Sequence, residues 1–163
     1  MQTVPHTIEV ATFAAGCFWG VEDVFMTLKG VLETEVGYTG GTTENPTYKD
    51  VCYKNTGHAE ALKITFDPSV ITYDQLLDFF WRMHDPTTFN RQGPDVGSQY
   101  RSAIFTHSPA QEEQAKASKE KAQSQFPKKI VTFIEPAPVF YPAEEYHQKY
   151  FQKNGGGGCH IIR

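Results

Sequence analysis

β-branched runs and amphipathic helical stretches alternate along the 163-residue chain, in the order strand-helix-strand, strand-helix-strand, then a further helix and strand. That order predicts an α+β fold, a two-layer α/β sandwich of helices on a mixed or antiparallel sheet with a ferredoxin-like core. A composition 39% hydrophobic and 21% charged suits one globular domain with a sizeable core, and no repeat or linker interrupts residues 1–163.

The first strand is expected from Thr7 to Ala14, with Ile8, Val10, Thr12 and Ala14 on one side. It leads into Ala15-Gly16-Cys17-Phe18-Trp19-Gly20, a thiol set between glycines and against two large aromatics. Val21, Val24, Phe25 and Leu28 then recur at i, i+3, i+4 and i+7, one buried face of a helix ending at Gly30. Cys17 thus falls at or near a helix N-terminus, where unpaired N–H groups and the positive end of the dipole favour a thiolate. An inert core cysteine is an equally open reading of position alone.

Val31 to Tyr38 forms a second strand, and Gly37-Tyr38-Thr39-Gly40-Gly41 a turn without the spacing of a phosphate loop. Glu44 to Thr56, holding Tyr48 and Cys52, reads as loop with at most one turn of helix. Ala61 to Phe66 alternates into a third strand closed by Asp67-Pro68. Thr72 caps a helix with Tyr73, Leu76, Leu77, Phe80 and Met83 on one face, stopped by Asp85-Pro86. Thr87 to Gln99 has no periodicity, a length of loop that in compact domains is often functional.

Tyr100 to Thr106 is the fourth strand. Ser108-Pro109-Ala110-Gln111 starts a helix, with a capping serine, proline at the first position and glutamine three after the serine. A fifth strand at Ile130 to Ile134 is bounded by Glu135-Pro136-Ala137-Pro138. Pro142-Ala143-Glu144-Glu145 should open a last helix in which Tyr146 and Tyr150 pair at i, i+4. Asn154 and four glycines end it in a flexible tail, residues 155–163, that carries Cys159.

A net charge of -4 without a basic cluster argues against nucleic acid or an anionic membrane as main partner. No apolar run approaches the roughly 18 residues of a membrane span. Ala14-Ala15-Gly16-Cys17 imitates the end of a lipoprotein signal, but His6 and Glu9 precede any long apolar stretch and no basic start exists. The chain is expected in the cytoplasm, a location that leaves room for a targeting segment already removed. Three cysteines, with no Cys-x-x-Cys pair, fit a transient redox pair plus one bystander.

Six blocks now stand in order: Gly16-Cys17-Phe18-Trp19-Gly20, Gly37-Tyr38-Thr39-Gly40-Gly41, Pro46-Thr47-Tyr48, Gly57-His58-Ala59-Glu60, Asp95-Val96-Gly97-Ser98-Gln99-Tyr100-Arg101-Ser102 and Ala143-Glu144-Glu145-Tyr146-His147-Gln148. Together they resemble the peptide methionine sulfoxide reductases of the A class, which act on the S epimer, and the likeness covers nearly the whole chain. The resemblance implies Cys17 as nucleophile on the sulfoxide sulfur, ending as a sulfenic acid. It implies Glu60 as the acid, kept protonated by an apolar pocket, and Tyr48 and Tyr100 as hydroxyl donors to the sulfoxide oxygen. Phe18 and Trp19 would seat the substrate methyl, and Asp95 would bond the pocket and the substrate amide.

Cys159 is implied as the resolving thiol, forming a Cys17–Cys159 disulfide for thioredoxin or another dithiol to reduce. Many members carry a second distal cysteine, whereas His160 to Arg163 follow here, and the reductant is then expected to attack the Cys17–Cys159 bond directly. No bound cofactor and no metal are implied. The resemblance implies oxidised proteins and peptides or free methionine sulfoxide as substrates, and the protein is expected to act as a monomer. Taken singly, each residue has a plainer reading: core packing for Phe18 and Trp19, surface positions for Glu60, Tyr48 and Tyr100, an Asp-x-Gly turn for Asp95, a buried bystander for Cys52. Three other functions compete: a zinc deaminase through His58-Ala59-Glu60, which lacks a downstream Pro-Cys-x-x-Cys; a thiol peroxidase; and a methionine-binding module without chemistry.

Overall fold

The computed structural model describes residues 8–154. The expected tail and its Cys159 lie outside the described residues. Six strands form the main sheet, in the spatial order Phe133–Pro136, Ser102–Thr106, Glu9–Ala15, Ala59–Phe66, Val31–Thr39 and Tyr141–Pro142. Its centre comprises β1 (Glu9–Ala15), β2 (Val31–Thr39), β3 (Ala59–Phe66) and β6 (Ser102–Thr106), every neighbour antiparallel. With α1 (Phe18–Phe25) joining β1 to β2 and α3 (Tyr73–Met83) joining β3 to β6, this is the expected ferredoxin-like core. A six-residue helix, α2 (Tyr48–Tyr53), and a two-stranded hairpin, β4 (Arg91–Gln92) with β5 (Asp95–Val96), are inserted between these elements.

Strand alternation sorts the two faces. Ala11, Phe13 and Ala15 of β1, Val36 and Tyr38 of β2, and Leu62, Ile64 and Phe66 of β3 face the helices and pack on Phe18, Val21, Phe25, Leu76, Leu77 and Phe80. The opposite face is a carpet of Ala14, Ala59, Ala61 and Ala103 with Phe105, small enough for Ala137 and Phe140 to lie against it. Thr72 and Gln75 close a reciprocal capping box on α3, and Trp81 donates to the Ser118 hydroxyl of α4 (Pro109–Ala122) at 2.7 Å. A buried chain runs from the Phe80 carbonyl through His84 to the Ser102 and Thr132 hydroxyls, at 2.6, 2.8 and 2.8 Å. It ties the end of α3 to β6.

Several boundaries differ from the sequence reading, each for a visible reason. α1 stops at Phe25 because Leu28 and Val31 take tight-turn bonds to Phe25 and Leu28, leading to Gly30 at φ +99°. Residues 48–53 are a true helix, since Thr47 and Asp50 form a second capping box. Tyr100 ends a 3-10 turn, Ser98–Tyr100, and does not begin the fourth strand. Ser108 caps α4 as expected, but the Gln111 side chain bonds His107 N and Val10 O and closes no box.

The fifth strand shifts to β7 (Phe133–Pro136), parallel to β6, because Ile130 N and Val131 N are claimed by Gln123 and Pro86. The last helix does not start at Pro142. Tyr141–Pro142 forms β8 against β2, a 3-10 turn follows at Glu145–His147, and only α5 (Tyr150–Asn154) is α-helical. The Gln148 carboxamide exchanges hydrogen bonds with the Val36 backbone at 2.9 Å each way, and Lys149 turns to φ +53°. Tyr146 and Tyr150 therefore share no helix face.

Candidate active site

Gly16, at φ +95°, lets the chain leave β1 and turn directly into α1. Cys17 becomes the N-cap, as expected; its carbonyl accepts from Val21 N at 3.3 Å and its side chain makes no capping bond. A half-buried thiol thereby stands at the end of a helix whose first N–H groups have no partner within the helix.

One of those N–H groups defines the site. Phe18 N donates to Glu60 Oε1 at 3.2 Å, and Glu60, opposite Tyr38 in the sheet, is only 1% exposed. Its Oε2 is buried with no hydrogen-bond partner among the described residues. Burial pushes the Glu60 carboxyl up to about 8; the Phe18 N–H opposes this and the Asp95 charge adds to it. Glu60 is therefore a neutral acid at neutral pH, not the surface glutamate that its position at a strand start suggested.

Tyr48, the first residue of α2, and Tyr100 both have their phenols raised by burial first and by Glu60 next. Both remain hydroxyl donors across the whole working pH range. Asp95 reaches the same group from the β4–β5 hairpin, acting on Glu60 and Tyr100. Cys52, read as a bystander, is half-buried here; its thiol interacts with the Tyr48 hydroxyl, and burial, with Glu60 and Glu144 beside it, raises its pKa.

Phe18 and Trp19 take different places. Phe18 is wholly buried, its ring 5.7 Å from Tyr38, 6.4 Å from Tyr48 and 5.2 Å from His147. Trp19 is half-buried, stacked on Tyr150 at 3.7 Å and 6°. The other residues expected from the sequence, Cys17, Glu60, Tyr48, Tyr100 and Asp95, are brought together around the start of α1.

No local pattern in the sequence marks Glu144 as part of the site. Its Oε1 accepts from Tyr38 OH at 2.9 Å and its Oε2 from Tyr48 N at 3.1 Å, so one carboxylate locks the strand and the helix that flank the site. Burial works against that charge, but its hydrogen bonds and His147 outweigh it and hold the carboxyl below its usual range. Glu22, also unmarked, is buried and accepts from the Thr34 hydroxyl at 2.7 Å and Lys149 N at 2.5 Å, fixing the chain ahead of α5. For the first of these the family resemblance of the Ala143 to Gln148 block is the only signal; Glu22 reads as one more helical acid.

His58 has neither nitrogen to spare. Nδ1 accepts from Gly41 N at 3.0 Å and Nε2 meets the Thr43 carbonyl at 2.7 Å. Gly41 permits that approach, since a Cβ there would stand 2.3 Å from His58 N. The histidine of the deaminase-like pattern pins a loop, and among the described residues no three His, Cys, Asp or Glu side chains converge as a metal set.

An α+β fold that sets a cysteine at a helix start beside a buried, neutral carboxylic acid has the parts a thiol-dependent enzyme needs. The family model "Peptide methionine sulfoxide reductase" matches residues 9–163, and the chain belongs to that family. It is an oxidoreductase acting on the sulfur of methionine sulfoxide. It is 58% identical over 158 residues to the peptide methionine sulfoxide reductase MsrA of Methanoculleus marisnigri, covering 96% of each chain. The reduced form of Mxr1 from Saccharomyces cerevisiae superposes with a TM-score of 0.92 at 43% identity, covering 99% of this chain and 96% of that one. Mxr1 in complex with Trx2 gives a TM-score of 0.66 at 31% identity over 99% and 96% of the two chains.

Proposed function

We propose that this protein, as one catalytic domain over residues 1–163, reduces the S epimer of methionine sulfoxide, free or within oxidised proteins and peptides, through Cys17. The reading rests on the Glu60 carboxyl, a proton source at neutral pH that contacts the backbone of the residue after the thiol. The Cys17 thiolate attacks the sulfoxide sulfur while Glu60 gives its proton to the sulfoxide oxygen. Tyr48 and Tyr100 donate hydrogen bonds to that oxygen as charge gathers on it. Oxygen ends on the Cys17 sulfur as a sulfenic acid, and methionine leaves as the thioether.

Trp19, with Phe18 behind it, seats the S-methyl, and Asp95 bonds the substrate amide. Cys159 then attacks the sulfenic acid; a Cys17–Cys159 disulfide forms and water leaves. Thioredoxin, or another dithiol, reduces that disulfide in two thiol exchanges, a partnership supported by the Mxr1–Trx2 complex. The enzyme works in this scheme as a cytoplasmic monomer with no bound cofactor or metal. No helix among the described residues is long and apolar enough to cross a membrane.

A dithiothreitol-driven assay on S and R epimers of a methionine sulfoxide peptide tests the reading, with Cys17→Ser alongside. Turnover of the S epimer alone, lost in the variant, is expected. Turnover of neither epimer, or of both equally, would overturn it.

A further inference from the structure

His147 carries no role in the scheme above, yet it sits at the centre of the aromatic wall of the site. It is 1% exposed, and its ring lies 4.4 Å from Tyr48, 4.1 Å from Tyr146, 5.2 Å from Phe18 and 5.6 Å from Trp19. The indole Nε1–H of Trp19 donates to His147 Nδ1 at 2.9 Å. An indole N–H can only donate, so Nδ1 must hold a lone pair and the imidazole is neutral with its proton on Nε2. Burial lowers the imidazole pKa, outweighing the Glu144 carboxylate that would raise it, and so keeps the ring neutral. Nε2 is buried without a hydrogen-bond partner among the described residues. The ring keeps its bond to Trp19 while its other nitrogen goes unmatched.

A tryptophan ring has two side-chain torsions to fix. Here Tyr150 covers one face of the indole, and the hydrogen bond to His147 sets its rotation within that plane of contact. The same turn of chain supplies Glu144, whose carboxylate holds Tyr48 N, so one 3-10 turn aligns the methyl seat with a hydroxyl donor.

We propose that His147 is a positioning residue: its Nδ1, by accepting the Trp19 N–H, holds the indole in the orientation that receives the S-methyl of the sulfoxide. The inference rests on the reading of Trp19 as the methyl seat. A residue acting in this way changes how well substrate is bound far more than how fast bound substrate reacts.

The test compares steady-state kcat and KM of the full chain with a peptide carrying the S epimer, under dithiothreitol. His147→Phe keeps the ring and removes the acceptor; KM should rise about tenfold, the worth of one buried hydrogen bond, with kcat changed by less than about threefold. The pair His147→Asn and His147→Gln decides the matter even if the phenylalanine variant does not fold. The Asn carbonyl can stand near the Nδ1 position and should restore KM, whereas Gln reaches toward Nε2 and should not. In a Trp19→Phe background, which has no N–H to accept, His147→Phe should add no further KM penalty. Equal KM for native and His147→Phe, equal KM for Asn and Gln, or a full added penalty without the Trp19 N–H would overturn the proposal. Native protein without turnover would instead remove the reductase reading beneath it.

Discussion

In the proposed reaction Glu60 is the one proton source. Its carboxyl, raised to about 8, is protonated below that pH and loses its proton above it, so kcat/KM should fall on the alkaline side of about pH 8. Glu60→Gln, which keeps the shape and has no acidic proton, should lower kcat by about 10²–10⁴-fold and remove that alkaline limb. A variant that retained the limb would assign it to another group. Tyr48→Phe and Tyr100→Phe should each cost several-fold in kcat, about one hydrogen bond, and together more than either alone. Single-turnover measurements on the two variants and the double check this.

Two capping boxes allow a comparison between elements. Thr47 and Thr72 each accept from the N–H three residues on, at 3.1 Å, and each should lose about 1 kcal/mol of stability when changed to alanine. Of the two, only α2 begins with a residue proposed to donate to the sulfoxide oxygen, Tyr48. Thr47→Ala should therefore reduce kcat/KM as well as the urea midpoint, whereas Thr72→Ala should lower the midpoint alone. Comparable activity losses in both would mean that α2 acts through global stability. The elements also show what the sequence could and could not tell. α3 was legible because its periodicity, cap and stop agree, and all three are local. The segment after Pro142 was misread as a helix because its acids and tyrosines imitate one, while its hydrogen bonds go to Tyr38, Val36 and Tyr48, far away in the chain.

For the molecule as a whole, keeping a buried acid has a cost in stability that varies with pH. A carboxyl raised from 4.5 to about 8 on folding contributes fully below about pH 4.5, and its contribution is lost as pH rises through about 8. At about 1.4 kcal/mol per unit the difference approaches about 5 kcal/mol at most. Glu60→Gln should flatten the dependence of denaturation midpoint on pH across that window and be the more stable protein at pH 8 while the less active one. Urea unfolding at several pH values measures it; parallel curves for the two proteins would show that the folded environment does not favour the neutral acid.

The sequence by itself determined the family, the ferredoxin-like order of strands and helices, and the placing of Cys17 at a helix start, because each is written in local pattern or in the identity and order of short blocks. The tertiary structure alone decided that Glu60 is buried against Phe18 N and that Glu144 and His147 hold Tyr48 and Trp19. Burial and hydrogen bonding across 42 to 128 positions of chain set those properties. No stretch of neighbouring residues contains the burial that raises Glu60 or the nitrogen that fixes Trp19, and only folding brings them together.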